Sequence, residues 1–257
     1  MTASPDRSGP TRTSAACSGT LLETLADPEF QRRVYGTVDC GSLLWHLQNT
    51  RIIDILGTAY YHPVLPLIPP ANWGEQLGRW RGIGRHLFGR DRFQGFWPPE
   101  MGFSMELIPT LVRLGYRYVL VDSEHVDAVT PMRWEQLRYR PHLARFGADE
   151  IVVVVRDREL SGAQEAGMDA GWFIREVSER TKFCDFPPLV TTCTDGGNGG
   201  WFRNTSPAGN FWTVFHHELT LTRLSHVRPG RTAGVAPASW CAANRANVAS
   251  RGTSLLT

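Results

Sequence analysis

The chain has 257 residues, 42% of them hydrophobic and 20% charged, the composition of a globular protein able to bury one large core. The formal net charge of +2 is unevenly placed: residues 219–257 carry five Arg and no Asp or Glu, leaving 22 basic against 25 acidic side chains elsewhere. That balance argues against a nucleic-acid partner for the main body, and no run of about 18 apolar residues exists to span a membrane. The five cysteines (Cys17, Cys40, Cys184, Cys193, Cys241) are scattered without a CxxC pair, so they read as reduced thiols of a cytoplasmic protein.

Residues 1–20 are rich in Ser, Thr, Ala and Pro and are predicted to be disordered. From residue 21 the pattern becomes globular. Leu43, Leu44, Leu47, Ile52, Ile55 and Leu56 fall at roughly helical spacing and predict a helix over Ser42 to Leu56 with Gly57 as its C-cap. A second helix is predicted over Trp73 to Phe88, a strand over Phe93 to Trp97, and a helix over Met101 to Leu114 closed by Gly115. Next come a strand over Tyr116 to Val121, a helical piece near Met132 to Leu137 and the all-apolar strand Ile151 to Val155. A helix over about Asp169 to Lys182 and a strand over Leu189 to Thr192 complete the pattern. Residues 216–257 lack this periodicity and are expected to form a divergent, disordered tail.

Continuous apolar strands alternating with helices imply an α/β fold with a parallel sheet covered on both faces. Each predicted strand runs at its carboxyl end into polar residues: Pro98-Pro99-Glu100, Asp122-Ser123-Glu124-His125, Arg156-Asp157-Arg158 and Thr194-Asp195-Gly196. That edge is where α/β barrels and open α/β sheets build their sites, so one shared mouth is expected.

Within the stretch Gly95-Phe96-Trp97-Pro98-Pro99-Glu100, a carboxylate follows two prolines beside aromatic rings. Rigid backbone, a stacking platform and an acid suit sugar binding, although a Glu near a helix N-terminus is also favoured by the macrodipole. Asp195 precedes the glycine-rich run Gly196-Gly197-Asn198-Gly199-Gly200 with Trp201 and Arg203. An Asp-Gly turn and a phosphate cradle are rival readings, the latter without a GxxxxGK[ST] or GxGxxG pattern to support it. Tyr61 and His62 sit beside prolines in Tyr60-Tyr61-His62-Pro63-Val64-Leu65-Pro66-Leu67. Asp122, Glu124 and His125 cluster in sequence, but alternate residues of a strand point to opposite faces, so no metal site is expected from them. No GxSxG elbow marks a serine nucleophile.

Three of these stretches together resemble the characteristic regions of glycoside hydrolase family 57, which includes α-amylases, amylopullulanases, 4-α-glucanotransferases and glucan branching enzymes. Tyr60 to Leu67 is similar to the family's second region, Gly95 to Glu100 to its third and Thr194 to Trp201 to its fourth. The likeness spans roughly residues 24–214. It implies a (β/α)7 TIM-like barrel over residues 21–215 and a retaining hydrolase or transglycosylase acting on an α-glucan or maltooligosaccharide. Glu100 would be the nucleophile and Asp195 the acid/base, with carboxyl groups about 5–5.5 Å apart. Substrate would be held by His62, Tyr61, Trp97, Trp201, Asp122 and Arg203, with no cofactor and no metal. The family's His-containing first region has no counterpart upstream, so the barrel is expected to be incomplete, while Gly197, where an acidic residue is common, lacks the charge that could tune Asp195. The alternative is a truncated or degenerate member that binds glycan without catalysis.

Overall fold

The run Tyr118-Val119-Leu120-Val121-Asp122 is buried at every position, and its apolar residues are rich in the β-branched and aromatic types that suit a strand covered on both faces. In the computed structural model it forms the central strand of the molecule. The structure describes residues 13–49, 53–90 and 92–195, and the backbone of 248–249. In chain order the strands are β1 (Thr13–Ala16), β2 (Ile53–Leu56), β3 (Gly95–Phe96), β4 (Tyr118–Asp122), β5 (Asp127–Ala128), β6 (His142–Phe146), β7 (Asp149–Arg156) and β8 (Val248–Ala249), the last pairing antiparallel with β5. The α-helices are α1 (Gly19–Ala26), α2 (Pro28–Val34), α3 (Cys40–Asn49), α4 (Trp73–Phe88), α5 (Ile108–Arg113), α6 (Trp134–Tyr139), α7 (Arg158–Glu165) and α8 (Ala170–Thr181).

Parallel pairing runs continuously across the sheet. β1 pairs with β2, the Gly57 N–H donates to the Gly95 carbonyl at 2.9 Å, and the Trp97 N–H returns to the Gly57 carbonyl at 2.8 Å. β3 then pairs with β4, β4 with β7, and the Asp157 N–H reaches the Thr191 carbonyl at 2.8 Å. The result is an arc of parallel strands whose carboxyl ends share one edge. Among the described residues no strand pairing joins the Thr191 end of the arc to β1. β6 lies antiparallel against the amino-terminal half of β7.

Alternation along the strands separates two cores. Val119, Val121, Val153 and Val155 join Ile55, Phe96 and the helical residues Leu77, Trp80, Ile108 and Leu111 on one face. Leu56, Tyr118, Leu120, Val154, Met101 and Cys193 form a second cluster on the other. Gly95 lies in register with Tyr118, whose ring crosses it: a Cβ there would come within 2.2 Å of the Tyr118 Cζ. Helix α4 buries Trp73, Leu77, Trp80, Gly84 and Phe88 on one stripe and ends in left-handed Gly89, whose N–H bonds to the Arg85 carbonyl.

Several expectations change. The helix predicted through Leu56 ends at Asn49, and Ile53–Leu56 is strand β2. A short window of spaced apolar residues fits both periods, and the β-branched Ile52, Ile53 and Ile55 favour the strand. Gly57 is no helix cap: it extends the sheet, and the Tyr116 ring leaves no room for a Cβ above it. Disorder to residue 20 is corrected by β1 and by α1, whose N-cap Ser18 accepts from the Leu21 N–H. The helix predicted from Met101 starts as a 3-10 turn at Met105 and becomes α-helical only at Ile108, because Glu100 and Met101 are left-handed. The strand predicted over Leu189 to Thr192 is a single bridge at Thr191. Strand β6 and helix α7 were not expected. No described helix is long and apolar enough to cross a membrane.

Candidate active site

The carboxyl-terminal edge of the arc collects the chemistry. After β3, Trp97 and Pro98 each precede a proline and are thereby confined to extended backbone. The chain then turns tightly, with the Met101 N–H bonded to the Pro98 carbonyl and the Gly102 N–H to the Pro99 carbonyl, both at 2.9 Å. Pro98 and Pro99 are buried and Trp97 packs partly against the second core cluster, while Glu100 stands exposed at the apex. Glu100 lies at φ 52° and Met101 at φ 56°, left-handed values that cost a residue with a Cβ about 1–2 kcal/mol.

The one other left-handed residue with a side chain among those described is His62, at φ 57°. It follows the turn after β2, and its Nδ1 lies 3.7 Å from Glu100 Oε1. Two strained backbone positions from different segments thus face one another, an arrangement typical of sites where neighbouring structure enforces a geometry. Tyr61 beside them is exposed. Its N–H donates to Gln76 Oε1 at 3.0 Å, its hydroxyl accepts from Arg79 at 3.1 Å, and the same guanidinium lies 5.8 Å from its ring centroid. The side chain is therefore oriented from beneath by α4 while its ring stays open to solvent.

Asp122 is placed differently. It is 1% exposed, accepts the Glu124 N–H at 3.0 Å and pairs with Arg156, its register partner on β7, through an Nη1–Oδ2 distance of 2.6 Å. Arg158 approaches the same carboxylate at 3.6 Å. Within the protein its carboxylate is thus paired with two guanidinium groups and a backbone N–H. Arg156 also donates through Nε to the Cys193 carbonyl at 2.9 Å and through Nη2 to Glu165 at 3.3 Å. The Cys193 N–H is held by Ser161 Oγ at 3.1 Å, and burial pushes the Cys193 thiol up to about 12, so this cysteine is a packing residue.

Asp195 follows two residues later and is exposed at the same edge as Glu100, separated from it along the sheet by β4 and β7. Gly197, Trp201 and Arg203 lie outside the described residues. Neither Arg156 nor Ser161 was singled out from sequence. The available signal was a pair of opposite charges, Asp122 and Arg156, ending two adjacent apolar strands. Among the described residues no group of three His, Cys, Asp or Glu side chains is placed to hold a metal.

The glycosyl hydrolase family 57 profile matches residues 10–192, more than half of the chain. The chain belongs to glycosyl hydrolase family 57. The match begins at residue 10, taking in β1 and α1, upstream of the stretch on which the sequence resemblance rested. Proteins named α-amylase from Pyrococcus furiosus and Pyrococcus horikoshii are 31% and 30% identical over 145 and 143 residues, in each case 56% of this chain. The chain spans about a fifth of the length of these relatives, 20% and 21%. Among solved structures, the α-amylase AmyC from Thermotoga maritima superposes with a TM-score of 0.72 at 14% identity, covering 96% of this chain and 69% of that one. An exo-type maltose-forming amylase from Pyrococcus sp. ST04 gives a TM-score of 0.73 at 13% identity, covering 96% and 42%. At such identities the structural likeness speaks for the fold alone.

Proposed function

We propose that this family 57 chain is a retaining glycoside hydrolase or transglycosylase acting on α-glucans, with Glu100 as nucleophile and Asp195 as acid/base. The observation that carries the reading is the meeting of Glu100 and His62, both left-handed, 3.7 Å apart at the strand edge that also ends in Asp195. Glu100 attacks the anomeric carbon and the glycosidic bond breaks as Asp195 gives its proton to the leaving oxygen. The glycosyl-enzyme is then released when Asp195 takes a proton from water or a sugar hydroxyl that attacks the same carbon. His62 and Tyr61 contribute donors and a ring face at the mouth, and Trp97 a second ring. The parallel arc is read as the described part of a (β/α)7 barrel. The four described cysteines are free, which supports a reducing compartment such as the cytoplasm.

The test compares wild type with Glu100→Gln and Asp195→Asn on a maltooligosaccharide, following turnover and anomeric configuration. Wild-type turnover with retention, and a loss of several orders of magnitude in both variants, is the expected result. A folded wild type as silent as the variants overturns the enzyme reading and leaves a glycan-binding homologue.

A further inference from the structure

We propose that Arg156 is a positioning residue for the acid/base segment, fixing where Asp195 stands. The inference rests on the reading of Asp195 above and extends it to a partly buried group outside the three resemblance regions. Arg156 is 13% exposed at the carboxyl end of β7 and uses three edges of its guanidinium at once. Nη1 is fixed on Asp122 of β4, Nη2 on Glu165 of α7, and Nε donates to the Cys193 carbonyl. A planar guanidinium holds such partners at set angles, which an ammonium cannot do.

Between Thr191 and Asp195 the chain has, among the described residues, no ladder beyond the one bridge at Thr191. Beyond it the backbone of Cys193 is held by side chains instead. Its carbonyl is taken by Arg156 and its N–H by Ser161 Oγ, whose own hydroxyl donates to the Asp157 carbonyl at 2.6 Å. Both anchors stand on the β7–α7 junction, so the residue two before Asp195 is referenced to the sheet through this clamp. An acid must meet the leaving oxygen to within hydrogen-bond reach, and a misplacement of about 1 Å can cost on the order of 100-fold in rate.

The experiment uses the full chain with Arg156→Gln, Arg156→Lys, Ser161→Ala and Asp195→Ala. kcat/KM, which reports the first half-reaction, is measured on a maltooligosaccharide and on an aryl maltooligosaccharide whose nitrophenolate departs without protonation. Loss of acid assistance suppresses the first substrate and spares the second. Arg156→Gln is expected to lose about 100-fold on the maltooligosaccharide and less than about 5-fold on the aryl substrate, with Arg156→Lys no better and Ser161→Ala intermediate. Hydrogen exchange over residues 189–195 is expected to rise at least about 10-fold in Arg156→Gln, a readout independent of turnover. If Asp195→Ala shows the leaving-group pattern and Arg156→Gln loses both substrates equally, positioning is overturned while Asp195 keeps its role. If Asp195→Ala lacks the pattern, the acid/base reading itself fails. Should Arg156→Gln not fold because Asp122 loses its closest cation, the double variant Asp122→Asn/Arg156→Gln removes both charges, and unchanged exchange over 189–195 in it or in Ser161→Ala overturns the clamp.

Discussion

At φ 52° a residue with a Cβ is strained and glycine is not, so the conformation of Glu100 and its side chain pull in opposite directions. The role proposed for Glu100 at the mouth accounts for a carboxylate at a position where glycine would be unstrained. Glu100→Gly should therefore unfold later than Glu100→Ala by about 1 kcal/mol, read from urea midpoints, although neither retains the carboxylate. Equal midpoints would mean that the turn carries no strain. The residues beside the turn were legible as a motif, since two prolines and an acid at a strand end form a local pattern. The left-handed backbone of Glu100 and His62 was not, because it is imposed by segments far apart in the chain.

Among the elements, strand β6 was missed and β2 was read as part of a helix, and both errors have one cause. A stretch of four or five residues is too short for its apolar spacing to decide between periods of 2 and 3.6, and pairing with a neighbour settles it. Residues 142–146, His-Leu-Ala-Arg-Phe, do not alternate strictly, and they turn back through left-handed Gly147 onto β7. That pairing buries His142, whose Nε2 lies 2.8 Å from the Leu137 carbonyl and whose pKa burial holds below the ordinary 6.5. The folded state thus resists protonation that the unfolded chain accepts, so stability is full above about 6.5 and falls as pH drops below it. The slope is at most about 1.4 kcal/mol per pH unit for one proton. Urea midpoints at pH 7 and pH 5 should differ more in wild type than in His142→Gln. An identical difference would show that another group sets the acid limb.

For the whole molecule, β4 and β7 lie between two apolar cores, with Val119, Leu120, Val121, Val153, Val154 and Val155 all 2% exposed or less. Opening these strands requires losing both clusters together. Their amides should be the slowest to exchange, well behind those of β1 at the other end of the arc. Comparable protection along β1 and β4 would instead indicate a unit that opens only as a whole. Glycines show how far the sequence reaches at this scale. Gly57 and Gly95 were visible as glycines, but their need to be so comes from the Tyr116 and Tyr118 rings lying across them, which only packing reveals.

What the sequence by itself determined is the α/β class, helix α4, the apolar strands β4 and β7, and the family motifs around His62, Glu100 and Asp195. Each is written in contiguous residues whose spacing or chemistry is sufficient. The tertiary structure decided which polar residues stand exposed at the strand edge and which are paired inside. Asp122 and Glu100 both follow apolar strands. The register of β4 with β7 sets Asp122 against Arg156, so Asp122 becomes buried scaffolding, while the double-proline turn lifts Glu100 to the surface beside His62. A carboxylate's fate depends on whether a cation shares its burial, and that is a property of neighbours in space.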